Sequence, residues 1–361
     1  MRTRFPTILI ATFMALPSLA CAVTPNEIFR GARAATTQDA VDDHGLVAIG
    51  GIPQWISVRG RHRSAPLMLV LHGGPAFTLS PVSYYYMRDW EEPFIVVQWD
   101  QRGAGKTYAA SDPEKIKSTL SIERLVEDAE ELVGYLRQKY HKDRIVLMAH
   151  SFGTILGVKL AQRHPDWFYA YVGMGQFTDF MQSEAQGYAA TLADAKADHN
   201  EKAVAELQSI APFPDREHPE RNFQNLGLER KWLATYGGYY RHGSFGRNAE
   251  IATMSPDYTA EELKIRDEAE AFCDELLWDE VGRVNLMGAT QFKLPVVIFQ
   301  GRHDRGTSSA LVEKWFAKVQ APVKKIIWFE DSAHMVYEEE PGKVLVSLVN
   351  EVLPLTRPPR K

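Results

Sequence analysis

Short, almost wholly apolar runs recur along this chain, and stretches with helical spacing separate them. Pro66–Leu71, Phe94–Trp99, Ile145–Met148, Ala170–Gly173, Leu294–Phe299 and Lys325–Phe329 predict buried strands. Ile122, Leu125, Ala129, Leu132, Val133 and Leu136 share one face of a long helix, and Ile155, Leu156, Val158, Leu160 and Ala161 follow the same spacing. Two more helices are predicted over Ser308–Val319 and Gly342–Leu353. Fully apolar strands alternating with helices mean an α/β fold, its mostly parallel sheet covered on both faces. Near the start, Gly45–Gly50 and Ile52–Arg59 predict an antiparallel pair turning at Gly50-Gly51, after a polar lead-in over residues 23 to 44. From 178 to 291 the rhythm breaks. That stretch is rich in Ala, Glu, Asp, Tyr and Trp and reads as helices and loops without a central strand. It predicts a helical cap inserted before the last two strands, over the strand ends where α/β proteins place their sites. The expected core is therefore split into residues 23–177 and 292–361.

Composition narrows the class. At 361 residues, 45% hydrophobic and 24% charged, the chain fits one large globular α/β domain with an insertion. A formal charge of −5 offers no basic footprint for a nucleic acid. Arg2 and Arg4 precede an uncharged apolar run from Phe5 to Ala20, and Ala20-Cys21-Ala22 supplies a small-x-small cleavage site. That pattern reads as a secretory signal peptide over residues 1–22, too short for a membrane span. Export to the periplasm or the medium is the expectation. Ser18-Leu19-Ala20-Cys21 only partly matches a lipoprotein signal, so lipidation of Cys21 is the lesser alternative. Cleavage after Ala22 leaves Cys273 alone, and it reads as a buried structural thiol.

Candidate chemistry begins at Ala149-His150-Ser151-Phe152-Gly153, between the strand at Ile145 and the helix at Ile155. Strand, sharp turn through a serine, then helix is the setting of a nucleophile elbow. Small residues flank the serine at ±2 because strand and helix nearly touch there. A serine is a weak nucleophile near neutral pH and needs a base held by a third group. Asp304 follows the run ending at Phe299, and His334 follows the run ending at Phe329. Ser151, Asp304, His334 is the chain order nucleophile, acid, base of such folds. His334 would take the Ser151 proton and Asp304 would orient the imidazole. Asp331 is the reserve acid, and His150 and His303 read as structural neighbours.

Acyl transfer also needs two backbone N–H groups aimed at the developing oxyanion. Phe152 is one candidate, and Gly74 of His72-Gly73-Gly74-Pro75 is the other, with Gly73 and Pro75 beside the substrate. Gly103-Ala104-Gly105-Lys106-Thr107 ends like a phosphate-binding loop, but Asp100 stands where that motif requires glycine, which argues against a nucleotide. No Cys or His spacing suggests a metal, and no cofactor is implied.

His72-Gly73-Gly74-Pro75, Asp100-Gln101-Arg102-Gly103, the elbow at Ser151, Gly301-Arg302-x-Asp304 and the late His334 together resemble the prolyl aminopeptidase (proline iminopeptidase) group of α/β-hydrolases. The resemblance runs from about Gln54 to the C-terminus, apart from the cap. It implies a serine hydrolase that removes an N-terminal residue, often proline, from short peptides, with cap carboxylates holding the substrate's α-ammonium. Departures at Ala76, at Ala149, His150 and Phe152 of the elbow and in the exported address touch the substrate pocket more than the machinery. Glu184 is the candidate ammonium anchor, and Tyr239, within Tyr236-Gly237-Gly238-Tyr239-Tyr240, a candidate pocket wall. An esterase or amidase of small molecules on the same three residues is the alternative.

Overall fold

A computed structural model describes residues 23–34 and 37–357. The signal-peptide reading and Cys21 lie outside the described residues. The strands are β1 (Val41–Ile49), β2 (Ile52–Gly60), β3 (Leu67–Leu71), β4 (Ile95–Trp99), β5 (Ile145–His150), β6 (Phe168–Met174), β7 (Val296–Gly301) and β8 (Lys324–Phe329). They form one sheet in the order β1-β2-β4-β3-β5-β6-β7-β8, antiparallel at β1/β2 and β2/β4 and parallel elsewhere. The lead-in expected over 23 to 44 is more structured than its polarity suggested. It holds a helix, α1 (Pro25–Arg33), and β1 begins at Val41. Thr24 and Glu27 cap α1 reciprocally. Arg33 then pairs with Asp257 and Glu91, and Phe29 packs edge-on against Tyr84 at 4.7 Å, so ion pairs and one aromatic contact dock this helix.

Helices α2 (Ser80–Tyr86), α3 (Gly105–Ala109), α4 (Pro113–Thr119), α5 (Ile122–Lys139) and α6 (Gly153–Arg163) fill the connections up to β6. Side-chain alternation along the inner strands feeds two cores. Leu67, Leu69 and Leu71 of β3 pack with α5 and α6 on one face, while Met68 and Val70 pack with α2 on the other. The sheet is thus covered on both sides, as its mostly apolar inner strands require.

Between β6 and β7 lie α7 (Phe180–Ala197), α8 (Glu201–Ser209), α9 (Glu220–Thr235), α10 (Phe245–Thr253) and α11 (Ala260–Gly282). Entry and exit of this insertion are tied at a neck, with Leu286 N–H to Thr178 O at 2.6 Å and Phe180 N–H to Val284 O at 3.1 Å. After β7 come α12 (Ser309–Lys318), β8, α13 (Val336–Glu339) and α14 (Pro341–Ser347), whose last turns loosen before Thr356. Among the described residues, no helix is long and apolar enough to cross a membrane.

Candidate active site

The carboxyl ends of β3, β5, β7 and β8 face the insertion, and each delivers one piece of the site. At the end of β5 the chain turns through Ser151 with φ +52°, a left-handed conformation that costs a non-glycine residue about 1–2 kcal/mol. Two neighbours hold the turn: Ser151 N–H donates to Met174 O at 2.9 Å, and the Thr154 hydroxyl donates to Ser151 O at 2.6 Å. The flanking residues must be small. A Cβ on Gly153 would stand 2.4 Å from Leu71 O. Ala149 keeps its methyl because Gly157 of α6 faces it, where any added Cβ would come within 3.0 Å.

The loop after β7 carries Asp304, 3% exposed, and the loop after β8 carries His334, also 3% exposed. His334 Nδ1 lies 2.8 Å from Asp304 Oδ2. With that nitrogen donating, Nε2 is the bare one, in a side chain that lines the same cavity as Ser151. Asp304 also accepts from Gln300 Nε2 at 2.9 Å, Thr307 N–H at 3.0 Å and the Thr307 hydroxyl at 2.7 Å. Burial opposes the charge on Asp304, but His334 and these donors outweigh it and hold the carboxyl below its usual range. Asp331, the reserve acid, is exposed on the turn and takes no part. The cap also grips the base loop. His334 N–H donates to Tyr239 O at 2.9 Å, and Glu339 accepts from Ala333 N–H at 2.8 Å and from cap residues Arg241 and His242 at 2.6 and 2.7 Å.

His150 lies under the base, its ring 4.9 Å from that of His334, with Nε2 3.4 Å from His334 O. Burial, then the neighbouring His334, pushes its pKa down to about 3, so it stays neutral and structural. His303 is half-buried, its N–H bound to Ser332 O at 3.0 Å.

The loop after β3 carries Gly74, the second backbone donor expected from the sequence. Gly74 has φ +106°, and Phe77 N–H closes the turn onto Gly73 O at 3.1 Å. Ala76 sits at φ +62°, a position that favours glycine. Gly74 and Pro75 line the cavity, whereas Gly73 lies behind them, where a Cβ would come 2.8 Å from Ser151 Cβ. Gly73 is therefore backbone spacing for the nucleophile, not the substrate contact expected of it. Phe152 is 1% exposed and is the N-cap residue of α6. Gln101 fixes this loop by donating its N–H to His72 Nε2 at 3.2 Å and its side-chain N–H to His72 O at 3.1 Å. Burial pushes His72 down to about 4, keeping it the neutral acceptor this bond needs. The rest of that motif is structural. Arg102 binds Asp128 at 2.7 Å, and Asp100 takes the hydroxyls of Thr78, Ser80 and cap residue Tyr258. Lys106, in the stretch resembling a phosphate loop, pairs with Glu262 at 3.1 Å.

Core and cap enclose a cavity of about 250 Å³. Glu184 lines it and is 3% exposed, so it is no solvated helix carboxylate. Its two oxygens, however, are held by Arg230 at 2.6 and 2.7 Å, an arginine shared with Glu229, so the anchor expected there already has a cation. Tyr239 lines the cavity and edges the His334 ring at 5.6 Å; Tyr236 and Tyr240 of the same stretch pack elsewhere. Two acids that sequence reasoning passed over, Glu270 and Asp274 of α11, also face the cavity. Among the described residues neither has a hydrogen-bond or ion-pair partner. Burial, then Asp274, pushes Glu270 up to about 8, and burial pushes Asp274 up to about 6 against the pull of Arg230. Their i, i+4 spacing was the available signal, though in sequence it reads as a solvated face. Cys273 is buried, and its thiol donates to Gly103 O at 3.2 Å. Among the described residues, no group of three His, Cys, Asp or Glu side chains is set to hold a metal ion.

A family model described as the alpha/beta hydrolase fold matches residues 66–341. The chain belongs to the α/β-hydrolase family. This hydrolase is 27% identical over 303 residues to a Bacillus subtilis protein named "Probable aminopeptidase", covering 82% of this chain and 92% of that one. Over 127 residues it is 33% identical to a Streptomyces coelicolor "Probable proline iminopeptidase", covering 34% of this chain and 36% of the relative. Among solved structures, a proline iminopeptidase-related protein from Thermus thermophilus superposes with a TM-score of 0.63 at 20% identity, over 85% of this chain and 96% of that one. At that identity it speaks for the fold alone.

Proposed function

We propose that this hydrolase is an exported serine aminopeptidase that releases the N-terminal residue of short peptides. The observation that carries the reading is the pair Glu270 and Asp274, unpaired acids in the cavity that holds Ser151. A substrate's α-ammonium would supply the missing cation, and a blocked N-terminus would leave these half-buried carboxylates uncompensated. In the proposed mechanism, His334 Nε2 takes the Ser151 proton as Oγ attacks the scissile carbonyl, and the N–H groups of Gly74 and Phe152 receive the oxyanion. Collapse of that intermediate breaks the C–N bond as His334 returns the proton to the leaving amine. Water, activated by the same imidazole, then hydrolyses the acyl-enzyme and restores Ser151. Asp304 holds Nδ1–H throughout.

The apolar wall of Phe77, Phe177, Phe180, Trp278 and Phe245 favours a second reading, an esterase or amidase of small molecules. Hydrolysis of amino-acid naphthylamides, their N-acetylated forms and p-nitrophenyl acetate separates the two, with Ser151→Ala as control. Turnover of free-amino amides but not of acetylated ones supports the aminopeptidase. Ester turnover alone sinks it. Wild-type activity in Ser151→Ala would remove the proposed nucleophile. Export is tested separately, by whether chain recovered outside the cell lacks residues 1–22.

A further inference from the structure

Helix α11 points a graded face into the cavity. Glu270, Asp274, Trp278 and Val281 recur at i, i+4, i+8 and i+11 and all line it, so one stripe of the helix runs from acid to aromatic. At about 1.5 Å rise per residue, Asp274 and Trp278 lie roughly 6 Å apart along the axis. Trp278 does not stand alone. Its ring meets that of Phe180 edge-on at 5.3 Å, Phe180 stacks on Phe177 at 5.9 Å, and Phe223 closes on Trp278 at 5.5 Å. Phe177 follows β6 directly, with its N–H donated to the Thr154 hydroxyl at 2.9 Å, so this aromatic run is anchored beside the elbow. A second aromatic group, Phe77 with Phe245 and Tyr239, borders the cavity from the backbone-donor loop and the cap.

We infer that Trp278, Phe180 and Phe177 form the pocket for the side chain of the substrate's N-terminal residue, and that they select a large apolar side chain, aromatic or leucine-like, over proline. The inference rests on the aminopeptidase reading. An α-amino acid carries its ammonium and its side chain on one carbon. An ammonium held at Asp274 and Glu270 therefore leaves a side chain of benzyl or isobutyl size within reach of Trp278. Proline's nitrogen lies inside its own ring, so the three ring carbons stay beside the acids and the aromatic box goes unfilled. Unfilled apolar surface gives up binding in proportion to its area. One methylene in such a pocket already changes selectivity by roughly 10- to 200-fold. Phe245, 41% exposed, then marks the mouth through which the rest of the peptide extends.

The test compares kcat/KM for the β-naphthylamides of phenylalanine, leucine, alanine and proline, with p-nitrophenyl acetate as the ammonium-independent reference. The wild-type enzyme should prefer phenylalanine and leucine over proline by at least about 10-fold. Trp278→Ala should erase that preference, chiefly through KM, bringing the phenylalanine and leucine amides down toward the alanine amide. Trp278→Leu, which keeps apolar bulk, should retain the leucine amide and lose the phenylalanine amide. Preference for proline in the wild type would overturn the inference, and so would an equal loss on all four amides and the ester in both variants. Turnover of the ester with none of the four amides would instead defeat the aminopeptidase reading, and the inference with it.

Discussion

Asp304 and the pair Glu270–Asp274 border one cavity, yet their surroundings treat a negative charge in opposite ways. Asp304 stands on the sheet's edge with four donors around it and is held ionised. Glu270 and Asp274 stand on a cap helix with none and are pushed toward the neutral acid. Burial opposes charge in all three cases, so the donors decide the outcome. A carboxylate whose partners are built into the fold orients a neighbour before any ligand arrives. One left without partners ionises only at higher pH unless a cation comes to it. The acid–base pair of the core is thus held without substrate, and the cap half awaits one.

The sharpest way to break the comparison is to remove the charge from the satisfied side. Asp304→Asn keeps the shape but presents an amide where Nδ1–H requires an acceptor, which favours the wrong tautomer of His334. We expect kcat to fall about 10³- to 10⁴-fold on amide and ester substrates alike. A loss confined to free-amino substrates would mean that Asp304 recognises the ammonium rather than serving the base.

The two halves also differed in how far the sequence disclosed them. β3, β4, β5 and β7 are apolar but for an occasional polar residue such as Gln98 or Gln300, the elbow and acid follow two of them and the base follows β8, so chain order brought Ser151, Asp304 and His334 to one edge. Gln300 and Thr307, which fix Asp304, were hidden because a hydrogen bond leaves no periodic signature. The cap inverts the usual pattern. Glu270 and Asp274 point inward, next to a buried stripe of Ala269, Cys273 and Leu277, so α11 looks like an acidic surface helix. Glu184 was found by its place after β6, but its partner Arg230 lies 46 residues on in another helix. Pairings set by cap packing are long-range, and composition does not encode them.

The unsatisfied side calls for a milder cut. Glu270→Gln with Asp274→Asn should raise KM for free-amino amides about 10- to 100-fold and leave p-nitrophenyl acetate within about 2-fold. An equal effect on the ester would make the pair structural. The same contrast has a pH signature in the ratio of kcat/KM for the amide to that for the ester, which cancels whatever the two reactions share. The ratio should climb between about pH 6 and 8 as Asp274 and then Glu270 ionise. It should fall above roughly pH 8 as the substrate's α-amine loses its proton. In the double variant the rising limb should vanish. A flat ratio in the wild type would detach these acids from binding.

The smallest expected effect is on stability, and its sign separates the two kinds of carboxylate. In the unfolded chain Glu270 titrates near the ordinary value of about 4.3, and in the fold its pKa is about 8. Between those values the folded state binds more protons than the unfolded one, so this group's contribution to stability declines as pH rises through the window. Gln carries no such penalty. Glu270→Gln should therefore melt about 2 °C or more above the wild type at pH 9, with the gap closing as pH falls toward 4. Asp304→Asn should behave in the opposite sense. Its depressed carboxyl stabilises the fold above the unfolded pKa, so that variant should melt lower near neutral pH. Scanning calorimetry of the two variants from pH 4 to 9 reads both slopes. If Glu270→Gln is the less stable at pH 9, the acid already has a partner in the folded protein, and the contrast between core and cap falls.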